Sequence, residues 1–417
     1  MYSESIVEKR LSQVSKSGIE CVRRSREDCI DISRRLEKLR YDGKGVLLPD
    51  GQLSRQLDDK EQAHIRSERI LCKVDFVYYA TRYHAIGIDT GISGGEETIG
   101  PVEFQESQNR LVAALAKREE EVHAEYARYK LTEGIKVIAH KSRQQFYTAT
   151  SRMLTFQRML FWPGTRAFAG ALNPAGSGEL YKRDKIALDG LPFWLKPEVY
   201  PDVKDTEIGF KDPLNCRIMY QETTQKNGIA VGTQVDVSHL TEVPLWLNAA
   251  YDIGFSLMAA IPKSRMTLHI QEGTSSGGSG YWKDISEAAR KRMVGYESWT
   301  YVFVPWYINS RKFVRLPAAN WRPAKHTIEH AALIERTSPE WNGGNVYHPT
   351  VEQLCWWESE RESYVKSNSL AAFLATYPAT PEMSFTNWSE GALPVELIEK
   401  MEMDERRPGV YAVEVAG

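Results

Sequence analysis

Lys141, Arg143 and Thr148 fall within the octet "KSRQQFYT", which follows the apolar, β-branched run "IKVIAH" and leads into the helical pattern "ATSRMLTF". Two cations and then a hydroxyl at a helix start form a set that suits a triphosphate. The cations neutralise the β- and γ-phosphates, and the hydroxyl offers a ligand to Mg²⁺. The spacing GxxxxGK[ST] is not met, because Phe146 stands at the glycine position and Tyr147 at the lysine position. Read alone, the segment is equally a strand followed by a helix.

Two further segments supply the rest of such chemistry. "TQVDVSHLTEVPLW" is a strand pattern ending in Thr241-Glu242. A glutamate at a strand end can orient or deprotonate an attacking water, or can be an ordinary loop acid. "MTLHIQEGTSSGGSGYW" runs from a strand pattern into small and hydroxyl residues, with Thr274 or Ser275 placed to sense a phosphate, or to form a turn.

These side chains need a scaffold that brings strand ends together. Strand patterns at "IKVIAH", "TRAFAGAL", "CRIMYQETT", "TQVDVSHL", "MTLHIQE" and "WTYVFVPWYI" are interleaved with helical ones at 150–162, "GELYKRDKIAL", "LNAAYDIGFSLMAA" and "WKDISEAARKRM". The alternation indicates an α/β fold, a mostly parallel sheet covered on both faces. "SQNRLVAALAKREEEVHAEYARYKL" is a long amphipathic helix before the first strand, stopped near Gly134. The expected organisation is a helical extension and connector over 1–60, a core with its preceding helices over 61–320, and a tryptophan-rich region over 321–417. "GIDTGISGGEETIG" reads as a glycine-rich loop.

Of the 417 residues, 42% are hydrophobic and 26% charged, which fits a folded chain with a substantial core. The formal net charge of -2 does not announce a phosphate-backbone partner, so nucleic-acid contact would need a local patch such as Arg290, Lys291 and Arg292. Five cysteines without CxxC spacing read as buried free thiols in a reducing compartment. The N-terminal stretch is not a signal peptide, and the longest apolar runs are broken by charges, so no membrane contact is expected.

Taken in order, the segments resemble the ATPase half of the large terminase subunit, the DNA-packaging motor of tailed bacteriophages. "KSRQ" is similar to that family's arginine-containing phosphate loop, "GTQVDVSHLTEVPLW" to its strand ending in an acid, and "LHIQEGTSSGGSGYWKDISEAA" with "YVFVPWYI" to its coupling segment and the strand beyond. "LPFWLKPEVYP", "HTIEHAALIER", "QLCWWESERE" and "TYPATPEMSFTNWSEG" extend the likeness over about 70–400. The resemblance implies a P-loop sheet of the RecA/ASCE type that binds ATP with Mg²⁺.

On that resemblance the loop Lys141, Ser142, Arg143, Gln144, Gln145, Phe146, Tyr147 and Thr148 holds the nucleotide, with Gln108, or else Gln105, reading the adenine edge. Lys141 and Arg143 sit on the phosphates, Thr148 and Glu242 on the metal side, Glu242 also by the attacking water, and Thr274 couples hydrolysis to movement. Implied partners are double-stranded DNA, a portal protein, a small terminase subunit and further copies in a ring, in the host cytoplasm. The family's nuclease half is not expected here, because the sequence stops at "PGVYAVEVAG".

Three departures stand out. Phe146 replaces the glycine that lets backbone amides approach phosphates. Tyr147 replaces the common lysine, with Lys141 at the loop's leading edge as its substitute. Thr241 replaces the common metal-side aspartate.

Overall fold

The computed structural model describes residues 4–385 except 16–20, 38–39, 42–45, 48–52, 56–57, 89–97, 202–205, 224–227, 276–278 and 310–311. Much of the glycine-rich stretch 87–100, Gly277 and Gly278, most of the 41–61 connector and the C-terminal tail therefore lie outside the described residues.

Seven strands form the main sheet: β1 (Ile135–Lys141), β2 (Arg166–Ala171), β3 (Glu207–Gly209), β4 (Arg217–Glu222), β5 (Val237–Leu240), β6 (Leu268–Gly273) and β7 (Trp299–Val304). Their spatial order is β7-β1-β6-β5-β2-β4-β3, and every neighbouring pair is parallel except β3 with β4. This is the α/β, mostly parallel architecture read from the strand–helix alternation. β6 is inserted between β1, which feeds the candidate loop, and β5, which leads to Glu242.

The helices are α1 (Glu4–Ser15), α2 (Arg26–Glu37), α3 (Asp59–Val74), α4 (Phe76–Arg82), α5 (Glu106–Tyr129), α6 (Tyr147–Phe161), α7 (Pro174–Asp189), α8 (Tyr281–Arg290), α9 (Lys325–Trp341), α10 (Val351–Lys366) and α11 (Leu370–Thr376). Strand side chains alternate between faces, and the packing follows that period. Ile135, Val137 and Ala139 of β1 join the core shared with α5, α6 and α7, whereas Ile138 joins a second core with Trp282 and Ile285 of α8. Burial on both faces explains why the strands read as continuous apolar runs.

α6 is buried on nearly every side, from Tyr147 and Thr150 to Phe161. It is pinned by charge as well as packing: Arg152 forms a two-pronged ion pair with Asp184 of α7, and Tyr220 of β4 donates to the same carboxylate at 2.6 Å. Removing one partner of such a buried pair leaves an uncompensated charge and costs about 3–5 kcal/mol. The helix that begins at the candidate loop is therefore fixed in place.

Two elements differ from the sequence reading. "TQVDVSHL" is strand only over Val237–Leu240, although the Asp236 backbone already bonds to Arg166 and Leu268 on either side. "LNAAYDIGFSLMAA" is helical as read, but as a π-helix over Ala250–Leu257, with Tyr251 and Phe255 exposed. No described helix is long and apolar enough to cross a membrane.

Five histidines are buried, and burial lowers the pKa of each: His84, His140, His269 and His330 to about 3, and His239 in the same direction. A histidine with a depressed native pKa contributes stability above its unfolded value, near 6.5, and loses it as pH falls below that value. Each contributes a slope of up to about 1.4 kcal/mol per pH unit. Melting temperature is therefore expected to fall steeply between pH 7 and 5, a window in which ordinary carboxylates barely titrate. A melting temperature that stays flat across this window would contradict the neutral buried histidines.

Candidate functional site

Sheet alternation decides which strand-end side chains meet. Glu272 of β6 lies opposite Ala139 of β1, and Ile270 lies opposite His239 of β5. Same-face neighbours are two residues apart, so Lys141, Glu272, His239 and Thr241 all project toward the α6 side. α6 starts directly above them.

The result is one compact cluster. Glu272 is fully buried. Its Oε1 accepts from the Thr148 hydroxyl at 2.5 Å and faces His239 Nε2 at 3.1 Å; its Oε2 lies 3.5 Å from Lys141 Nζ. Thr148 Oγ1 is also 3.5 Å from Thr241 Oγ1. Burial lowers the His239 pKa, and because an ionised carboxylate can only accept, the Nε2–H is the donor in this contact. Burial alone would raise the Glu272 pKa, but the Lys141 ammonium, with the hydrogen bonds from His239 and Thr148, outweighs it and holds the value at about 2. The centre is an ionised carboxylate bridging a lysine and a helix-start hydroxyl.

The carboxylate that meets Thr148 is thus Glu272, not Glu242 as the metal-side reading expected. The reason is topological: β6 stands between β1 and β5, and its last acid points to the α6 face. Glu242 follows β5 in a left-handed backbone conformation, φ 56°, with its side chain exposed. Gly273 makes this turn possible, since a Cβ there would lie 2.0 Å from Pro244 Cδ. Thr274 is half-buried; its neighbour Ser275 is buried, with Oγ 2.9 Å from His140 Nε2 and 3.3 Å from Ser384 Oγ.

The loop residues divide by role. Lys141 is partly accessible and Arg143 is exposed. Ser142 and Gln145 are buried and bonded to each other, Gln145 Nε2 donating to Ser142 Oγ at 2.6 Å. Backbone contacts stake the loop on several sides: Ser142 N–H donates to Val304, Arg143 N–H to Thr376, and the Ser107 hydroxyl to the Gln145 carbonyl. The Tyr147 side chain faces the core, fully buried, so only its backbone is available at the helix start. As first-turn residues of α6, Tyr147 and Thr148 have N–H groups without an intrahelical acceptor, an arrangement suited to anions.

Gln108 does not present an adenine-reading edge. It is 2% exposed, its Oε1 accepts from Gln105 N–H at 2.9 Å, and its Nε2 donates to Thr150 Oγ1 at 2.9 Å. It joins α5 to α6 instead; Gln105, at the N-cap, remains half-buried. Arg290 is also engaged, in ion pairs with Glu340 and Glu382, while Lys291 pairs with Glu287.

No family model and no curated protein matches the sequence. Among solved structures, the chain is similar to the HK97 bacteriophage large terminase, with a TM-score of 0.44, 11% identity, and coverage of 71% of this chain and 53% of that one. It is also similar to the Thermus phage P74-26 large terminase ATPase domain (TM-score 0.35, 9% identity, 55% and 92% coverage). A third is the large terminase of a thermophilic bacteriophage in complex with ADP (TM-score 0.33, 10% identity, 47% and 46% coverage). The chain spans about half the length of the HK97 protein.

Phe146 does not fill the loop. Its backbone takes the left-handed conformation that a glycine would adopt, φ 58°, and its ring is 46% exposed, with Lys312 Nζ 5.8 Å from the ring centre. Gln144 is left-handed too, φ 62°. Each costs about 1–2 kcal/mol relative to a right-handed residue. Phe146→Gly is therefore expected to keep the fold and to leave melting unchanged or raised, the relieved strain offsetting the lost ring contact. A drop in stability of several kcal/mol would show that the ring is a packing element instead.

Proposed function

We propose that the chain is the ATP-hydrolysing motor domain of a large terminase, driving double-stranded DNA into a procapsid. The observation that carries the reading is the convergence of Lys141, Thr148, Thr241 and Glu272 at the start of a buried, anchored helix. Cation, hydroxyl and carboxylate are the groups that a metal-bound triphosphate requires, and the helix start adds backbone donors.

On this reading Lys141 and Arg143 bind and orient the phosphates, and Arg143, being exposed, can follow them as they move. The donor set fits Mg²⁺: the Thr148 hydroxyl donates its hydrogen bond to Glu272, which leaves its oxygen lone pairs for a cation. A bound Mg²⁺ would spread the charge of the phosphate oxygens. Glu242, exposed and held in a strained turn, positions the attacking water and accepts its proton. Thr274 passes the phosphate state onward. Its neighbour Ser275 is already bonded to His140 on β1 and to Ser384 in the C-terminal region.

The partners on this reading are double-stranded DNA, a portal protein, a small terminase subunit and further copies of the chain in a ring, in the host cytoplasm. The resemblance of the sequence segments supports them. A second reading, a terminase-like subunit that binds DNA or portal without turnover, is favoured by the buried Tyr147 at the lysine position and by the engagement of Lys141 with Glu272.

DNA-stimulated phosphate release separates the two. The wild-type chain is expected to release phosphate from ATP in the presence of DNA, portal and small subunit. Glu242→Ala should lower the rate by about 100-fold or more, within the range of lost general-base catalysis, with nucleotide binding kept. Nucleotide binding without phosphate release in the wild type would favour the non-hydrolysing reading. Equal silence of both proteins in binding and turnover would remove the motor reading.

A further inference from the structure

We propose that Glu272, on β6, is the metal-side carboxylate of this site, replacing an acid that is missing from the end of β5. The proposal rests on the nucleotide-binding reading and adds which residue governs the cation. Thr241 closes β5 with a hydroxyl, which cannot hold a cation or its waters as a carboxylate does. Its Oγ1 nevertheless lies 3.5 Å from Thr148 Oγ1. The position is right and the chemistry is absent. Glu272 supplies that chemistry from the adjacent strand, reaching the same hydroxyl at 2.5 Å.

The second oxygen points the same way. Glu272 Oε2 is buried and has no hydrogen-bond donor, only the Lys141 ammonium at 3.5 Å. A fully buried carboxylate oxygen in that condition is an available ligand for a cation, directly or through water. No group of three or more His, Cys, Asp or Glu able to hold a metal occurs among the described residues. A cation held by Glu272 would take its remaining ligands from hydroxyls, water and nucleotide oxygens. Lys141 stands over Oε2, 3.5 Å away. When phosphates draw the lysine away, the oxygen is uncovered, so cation and nucleotide reinforce each other's binding.

His239 fixes the geometry. Its Nε2–H holds Oε1 while Thr148 holds the other lone pair of that atom, so the carboxylate cannot rotate away from the helix start. Such support from a neighbouring hydrogen bond typically changes metal affinity by about 10–100-fold.

The test is binding of a fluorescent ADP analogue (mant-ADP) to the full chain, with Mg²⁺ and with EDTA. The wild type is expected to bind more tightly with Mg²⁺ by about 10-fold or more, and Glu272→Gln should abolish most of that ratio. Glu242→Gln should leave the ratio intact. Thr241→Asp, added to Glu272→Gln, should restore part of it by returning a carboxylate to β5. Should Glu272→Gln fail to fold, Thr148→Val must lower the ratio in its place. An unchanged Mg²⁺ dependence in Glu272→Gln, or in Thr148→Val where that variant stands in, would overturn the proposal while leaving nucleotide binding in force. No analogue binding by the wild type under either condition would overturn both.

Discussion

A buried, ionised carboxylate is costly unless it is compensated, and Glu272 is compensated from three elements at once, by hydrogen bonds at Oε1 and by the Lys141 ammonium beside Oε2. Lys141 ends β1, His239 lies within β5 and Thr148 opens α6. Satisfying this one side chain fixes the relative placement of two neighbouring strands and the helix start. Remove the acid, and Lys141 and His239 lose the partner that justifies their positions. The site is a consequence of that electrostatic requirement acting within a parallel sheet.

The surrounding structure transmits the constraint. α6 cannot shift easily, because Arg152, Asp184 and Tyr220 lock it to α7 and β4 behind the loop. In front, the loop backbone is tied to β7 through Val304 and to the end of α11 through Thr376. On the opposite face of the sheet His140 lies between Tyr301 of β7 and Ser275, and Ser275 touches Ser384. Residues adjacent to the loop and to the end of β6 thus both contact the C-terminal helical region. On the proposed reading, a change at bound phosphates would have short, bonded routes to that region.

Much of this is legible in the sequence. Strand–helix alternation yields the parallel sheet, and the cationic and hydroxyl segments of the sequence reading fall at strand and helix ends that the sheet brings together. Lys141 and Thr148 stand out because a loop between a strand and a helix is a local pattern. Glu272 escapes notice as the carboxylate that meets Thr148, although it lies in the segment "LHIQEGT". Its importance depends on β6 lying between β1 and β5, which is a long-range pairing that no local window contains. Gln108 misleads for a related reason: its type suits an adenine edge, but its helix position makes it a capping and bridging residue. Phe146 misleads in the other direction, since residue type suggests obstruction while the left-handed backbone turns the ring outward.

The most direct measurement is an experimental structure of the chain with Mg²⁺ and a non-hydrolysable ATP analogue. The account expects the analogue's phosphates at the start of α6, Lys141 turned from Glu272 toward them, and the Phe146 ring still outside the loop. An analogue bound elsewhere, with the Lys141–Glu272 pair intact and the α6 start empty, would contradict it.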